Sequence, residues 1–155
     1  MKKVIKENFA FFDTKGLNNK NLPKIVLITG GAGFIGSNFI RYLIRKYPDY
    51  KIINFDKLTY AGNLYNLEMI DDNPNYAFMR GDVSNKADVK NVFEQFNPDF
   101  VVHFAAESHV DRSIINPDLF LQTNILGTQI LLNYSREYKV EKFVLISTDE
   151  VYGSI

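Results

Sequence analysis

The sequence predicts an α/β fold, a doubly wound parallel sheet, on three observations. Five short β-rich runs alternate with helical stretches from Lys24 onward, as βαβ units do. The runs are nearly continuous in apolar residues, which marks strands buried on both faces. A glycine-rich turn follows the first run directly and opens the first helical stretch.

The elements follow in order. The strands are expected at Ile25 to Thr29, Lys51 to Phe55, Tyr76 to Arg80, Phe100 to Phe104 and Phe143 to Ser147. Helical stretches are expected at about 34–47, 64–71, 86–96 and 116–138. The last begins with Asn116 as an N-cap and Pro117 in its first turn, a strong start signal. Its Leu119, Phe120, Leu121, Ile125, Leu126, Ile130, Leu131 and Leu132 spread beyond one apolar stripe, so it is expected to be covered on two sides. One cover is the sheet; the other is a partner subunit or chain following Ile155. Residues 1–23 read as an extension, either a flexible tail or a docking segment, and 24–155 as the sheet domain. No internal repeat, low-complexity block or second-domain linker interrupts the pattern.

Composition narrows the function classes. The 155 residues are 46% apolar and 14% aromatic, which excludes disorder of the chain as a whole. Eighteen basic and eighteen acidic residues cancel, so no net field points toward nucleic acid or an anionic membrane, and neither is expected as a partner. No apolar run approaches the roughly 20 residues that span a bilayer. Without a cysteine there are no disulfides and no thiolate chemistry, which suits a reducing compartment; a cytoplasmic location is expected. No His, Asp and Glu set has metal-ligand spacing, so no metal is expected.

The turn reads Thr29-Gly30-Gly31-Ala32-Gly33-Phe34-Ile35-Gly36. Gly30 permits the tight bend, Gly33 lets backbone approach a pyrophosphate, and Gly36 lets the helix pack on the strand. The helix start then offers unpaired N–H groups and partial positive charge to the phosphates. Asp56 closes the second strand 20 residues after Gly36, where a carboxylate accepts from the adenosine ribose hydroxyls and repels a 2′-phosphate. NAD is therefore expected over NADP, with Lys57 next door acting slightly against that preference. Asp82, after the third strand, is placed to receive an adenine amino group or to shape its own loop.

The Thr-Gly-x-x-Gly-x-x-Gly spacing resembles the extended short-chain dehydrogenase/reductase superfamily. DKLTYAGNLYNL at 56–67, FAAESHVDRS at 104–113, TNILGT at 123–128 and STDEVYG at 147–153 are narrower, and together they resemble the dTDP-glucose 4,6-dehydratase family. The resemblance implies a Rossmann-like NAD-binding domain, incomplete at its C-terminus and without the substrate domain. It implies NAD contacts from Phe34, Ile35, Asp56, Lys57, Leu58, Thr59, Asp82, Val83, Phe104, Ala105, Ala106 and Thr123. Ser108 and Thr148 are implied to touch the sugar, with Asp149 as general acid and Glu150 as general base. The implied activity is that of a lyase converting dTDP-glucose to its 4-keto-6-deoxy form, by a full-length homodimer. A related epimerase or decarboxylase, or a non-catalytic dinucleotide-binding fragment, are the alternatives.

Oxidation at carbon 4 of a sugar acidifies the hydrogen on carbon 5, which a carboxylate can then remove, while the carbon 6 hydroxyl leaves only if protonated. The Asp149-Glu150 pair suits that division of labour. Successive side chains on a strand point to opposite faces, so the chain must leave strand geometry at about Thr148 for both to reach one sugar. His103 is expected to complete a strand, whereas His109, Asp111 and Arg112 either border substrate or shape their loop. The superfamily's Tyr-x-x-x-Lys pair is expected after Ile155. Tyr42 and Lys46 share that spacing but fall on the first helix, where packing of Tyr42 in the core is the better reading.

Overall fold

The computed structural model describes residues 23–148 together with Val151 and Gly153. A five-stranded, all-parallel sheet runs in the order β3-β2-β1-β4-β5, with β1 at Ile25–Thr29, β2 at Lys51–Asp56, β3 at Tyr76–Arg80, β4 at Phe100–His103 and β5 at Lys142–Leu145. The doubly wound fold is thus present, and β1 and β3 have the expected bounds. β5 starts one residue early and ends at Leu145, so the chain leaves strand geometry before Ser147.

Alternation along the central strands divides the core. Val26, Ile28, Ile52 and Val102 face α1 (Phe34–Lys46) and the 3₁₀ helix Leu64–Ile70, packing with Ile40, Leu43 and Leu67. Leu27, Ile53, Phe55 and Val101 face the other way, onto Val89, Val92, Phe93 and Phe96 of α2 (Lys86–Phe96) and Ile130 and Leu131 of α5 (Thr128–Glu137). Burying one such side chain contributes about 1.5–3 kcal/mol, so both layers hold the sheet. α2 is capped at both ends: the Asn85 side chain accepts from the Ala87 amide, and Asn97 turns left-handed at φ 45°.

Asn54 is buried within β2 and donates to the Tyr76 hydroxyl at 2.9 Å; burial pushes the Tyr76 hydroxyl up to about 12. This pair is a polar seam in an otherwise apolar layer.

The last helical stretch departs from expectation. It is a continuous helical path in three parts: α4 at Pro117–Phe120, a π-helical segment at Leu121–Gly127, and α5. Asn116 stands at the N-cap, but its side chain makes no capping bond. A further helix, α3 at Val110–Ile115, precedes it and was not anticipated. Among the described residues the stretch is covered on the side that packs against the sheet and α2, while Leu121, Ile125 and Leu132 are exposed. The expected extension falls outside the described residues except for Pro23.

Candidate functional site

β1 and β4 are adjacent in space, yet the chain leaves β1 toward the face covered by α1 and β4 toward the face covered by α5. At such a switch point the connections diverge and leave a crevice beyond the carboxyl ends of the strands. A cleft of about 1060 Å³ opens there.

The glycine turn forms its inner wall. Gly30 has φ 70°, and its N–H donates to Phe55 O at 2.9 Å. A Cβ on Gly30 would lie 2.5 Å from the Ala105 amide nitrogen, and one on Gly36 would lie 2.4 Å from Gly30 O. The turn, the start of α1 and the loop after β4 therefore touch backbone to backbone. α1 begins without a side-chain cap and without an acidic residue in its first turn. Its leading N–H groups stay available to an anion, and Phe34 and Ile35, at 82% and 62% exposure, border the cleft beside them.

Asp56 links this turn to β2. Its buried carboxylate accepts from the Ala32 amide at 2.9 Å and the Leu58 amide at 2.8 Å, one on each oxygen. A carboxylate offers about four acceptor positions, so each oxygen keeps capacity for a ligand hydroxyl. Leu58, held at φ 57° by that bond, is the one described residue of the expected cofactor set that does not line the cleft.

Lys57 pairs with the Asp82 carboxylate at 2.6 Å, and Ser84 donates to the same carboxylate through its amide and its hydroxyl. Burial raises the Asp82 pKa, but the Lys57 and Ser84 bonds outweigh it and hold the carboxyl below its usual range. Two consequences follow for the sequence reading. The Lys57 charge is spent on Asp82 rather than offered to a 2′-phosphate, and the Asp82 carboxylate is largely engaged inside the protein.

On the β4 side, His103 completes its strand as expected and is buried, which pushes its imidazole down to about 4. Its neutral form has a defined tautomer. Thr128 donates its hydroxyl proton to Asn124 O at 2.7 Å, so at 3.0 Å from His103 Nε2 it accepts. Nδ1 must then accept from the Thr29 hydroxyl at 2.6 Å. This relay ties β1 and β4 to the π-helical segment.

A second tie was not foreseen. The Asn124 side chain accepts from the Glu107 amide at 2.8 Å and donates to Glu107 O at 2.9 Å, gripping that residue as a strand neighbour would. Asn124 and Glu107 both line the cleft, between Ala106 and Ser108 on one wall and Thr123 on the other. The sequence signals were the FAAESHVDRS and TNILGT segments, from which Glu107 and Asn124 were not singled out.

Gly33, Thr59, Val83, Phe104 and Thr148 also line the cleft, and Ser147 joins them. Asp149 and Glu150 lie outside the described residues. Of the uncertain stretch, Val110 and Ser113 border the cleft, whereas His109, Asp111 and Arg112 do not; Arg112 instead stacks 3.8 Å over the Tyr60 ring. Tyr42 is not a core residue. It is 45% exposed, and its hydroxyl accepts from Lys46 at 2.6 Å on the outer face of α1, away from the cleft. Among the described residues, no cluster of three His, Asp or Glu side chains could hold a metal ion, and no helix is long and apolar enough to cross a membrane.

Comparison with known proteins gives concordant results. The family model described as GDP-mannose 4,6 dehydratase matches residues 27–155. A dTDP-glucose 4,6-dehydratase of Neisseria meningitidis is 50% identical over 139 residues, covering 84% of this chain and 39% of that protein. A solved dTDP-glucose 4,6-dehydratase from Streptomyces venezuelae, with NAD and TYD bound, superposes with a TM-score of 0.77 at 47% identity, covering 84% of this chain and 41% of that one. A UDP-glucose 4-epimerase from Thermotoga maritima reaches 0.72 at 35% identity, covering 80% of this chain and 38% of that one. The chain thus spans about two fifths of the length of the relatives it matches.

Proposed function

The chain belongs to the GDP-mannose 4,6 dehydratase family, and from that premise we propose that it forms the NAD-binding part of a dTDP-glucose 4,6-dehydratase. The observation that carries this reading is Asp56, a buried carboxylate bonded to an amide of the glycine turn while keeping acceptor capacity toward the cleft. Turn, helix start and carboxylate fit a dinucleotide: amides for the pyrophosphate and an anionic acceptor for the ribose diol. The relatives near half identity act on dTDP-glucose by their names, which selects that sugar nucleotide over a UDP-sugar.

In this reading Phe34, Ile35 and the glycines hold the pyrophosphate, and Asp56 holds the adenosine ribose. Phe104 to Ala106 and Thr123 border the nicotinamide half. Bound NAD would supply an acceptor for the hydride on sugar carbon 4 and return it later. Ser108 and Thr148 position the sugar. Glu150 takes the proton from carbon 5, and Asp149 protonates the carbon 6 hydroxyl so that it departs as water. β5 ends at Leu145 and residues 146–148 are irregular, so strand alternation stops ahead of the acidic pair. Tyr42 and Lys46 cannot exchange a proton at carbon 4, because they sit on the outer face of α1. In this reading the full-length enzyme works in the cytoplasm as a homodimer.

A full-length polypeptide carrying these residues is expected to convert dTDP-glucose to a 4-keto-6-deoxy product. Asp149→Asn is expected to slow release of water by about 100-fold or more while leaving hydride removal from carbon 4 in place. Product formation followed by absorbance and by solvent deuterium incorporation at carbon 5 separates the steps; an Asp149→Asn enzyme that expels water at the native rate removes Asp149 from its role.

A further inference from the structure

The rim of the cleft carries a contact for which the reaction above has no use. Arg112 of α3 places its guanidinium 3.8 Å from the centre of the Tyr60 ring, in the loop after β2. β2 and β4 flank β1, so a contact between the loop after β2 and the helix after β4 has to pass over the carboxyl end of β1 and the glycine turn. Neither side chain lines the cleft, yet their neighbours do: Thr59 and Ala61 on one side, Val110 and Ser113 on the other. The pair bridges the mouth without entering it.

Its two ends differ in firmness. The loop after β2 is fixed at both ends, where the Leu58 amide donates to the Asp56 carboxylate at 2.8 Å and the Asn63 amide to Ala32 O at 3.0 Å. Its tip is closed around Tyr60 by the Gly62 amide, which donates to Thr59 O at 3.1 Å. α3 has no such footing: it buries none of its six residues, His109 makes no side-chain capping bond, and Ile114 and Ile115 are exposed. Asn124 grips Glu107 just before it and Pro117 opens a new helix just after it, so α3 can swing as a unit. A segment without buried apolar contacts of its own opens at little cost in free energy. Among the described residues no carboxylate pairs with Arg112, which leaves its charge to the face of the Tyr60 ring.

We propose that α3 is a gate over the dinucleotide cleft, latched by Arg112 on Tyr60, and that the latch sets how fast the dinucleotide enters and leaves rather than how tightly it is held. This rests on the dinucleotide reading of the cleft. Because the latch touches the rim and not the lining, breaking it lowers the barrier in both directions equally. In the proposed reaction the hydride removed from the sugar is later returned to it, so the dinucleotide has to stay in the cleft between the two transfers. A slow gate serves that requirement.

Release of NADH from the full-length polypeptide, followed by its fluorescence on rapid mixing with excess NAD+, reads the gate directly; calorimetric titration with NADH reads affinity. Tyr60→Leu and Arg112→Met are each expected to speed release about 5-fold, the equivalent of the roughly 1 kcal/mol that an exposed cation–π contact contributes. Association is expected to quicken by the same factor, so that the dissociation constant stays within about 2-fold. The double variant is expected to be no faster than either single one, since both remove the same contact. Tyr60→Phe, which keeps the ring face, is expected to release NADH at the native rate. Native release rates in Tyr60→Leu and Arg112→Met would overturn the proposal. So would additive effects in the double variant, or weakened affinity at an unchanged association rate, which marks side chains that touch the dinucleotide or shape its site. If the native full-length polypeptide binds no NADH, the dinucleotide reading itself fails and this inference falls with it; native binding with indifferent variants removes the inference alone.

Discussion

Asp56→Ala is expected to weaken NAD+ binding by about 100-fold or more, because two hydrogen bonds to a charged acceptor, at about 1.5–3 kcal/mol each, vanish from the ribose side. The same substitution strips the Ala32 and Leu58 amides of their acceptor. A buried donor left unmatched costs about 1–3 kcal/mol, so stability is expected to fall by about 2 kcal/mol as well. Leu58 adds to the effect, since its left-handed φ of 57° is held by the bond that disappears. Titration calorimetry and urea unfolding read the two losses separately. NAD+ affinity within a few-fold of native would show that the carboxylate shapes the loop and does nothing for a ligand.

Gly30→Ala combines two penalties. At φ 70° an L side chain costs about 1–2 kcal/mol, and its Cβ would press on the Ala105 amide from 2.5 Å, a backbone contact that cannot swing aside. Overpacking of that kind costs about 1–3 kcal/mol more. The expected result is a loss of about 3 kcal/mol in unfolding free energy together with abolished NAD+ binding, because relief requires the turn and the loop after β4 to separate. Gly36→Ala acts through the same seam, pushing the start of α1 off Gly30 O. An unfolding midpoint equal to that of the native chain would mean that the turn is looser than its geometry indicates.

The sheet was legible because its central strands are buried on both faces, so Ile25–Thr29 reads as an unbroken apolar run bounded by the glycine turn. α2 was legible to the residue for a different reason: Asn85 and Asn97 mark its ends by local chemistry. The helices after β4 were harder. Val110–Ile115 is short, mixes Asp111, Arg112 and Ser113 with apolar residues, and buries none of its residues, so no periodicity announces it. The π-helical widening at Leu121–Gly127 leaves no mark in residue type; it coincides with the tertiary contacts of Asn124 and Thr128.

Within the site, features carried by adjacent residues were readable and features carried by distant pairs were not. The glycines and Asp56 stand at the spacing that a strand, a turn and a helix impose. That Lys57 is committed to Asp82, that His103 has a fixed tautomer, and that Asn124 clamps Glu107 are facts about side chains 17 to 74 residues from their partners. Tyr42 shows the converse error. Its place on the first helix suggested core packing, yet the ring only stacks on Phe39 at 6.5 Å between centroids and turns its hydroxyl outward to Lys46.

The most direct measurement is competitive binding of NAD+ and NADP+ to the native chain at low and moderate salt. With a buried anion at the adenosine ribose and the Lys57 charge already taken by Asp82, NAD+ is expected to bind at least about 100-fold more tightly than NADP+. Equal affinities, or a preference for NADP+, would contradict the assignment of Asp56 to the ribose and with it the placement of the dinucleotide across the turn.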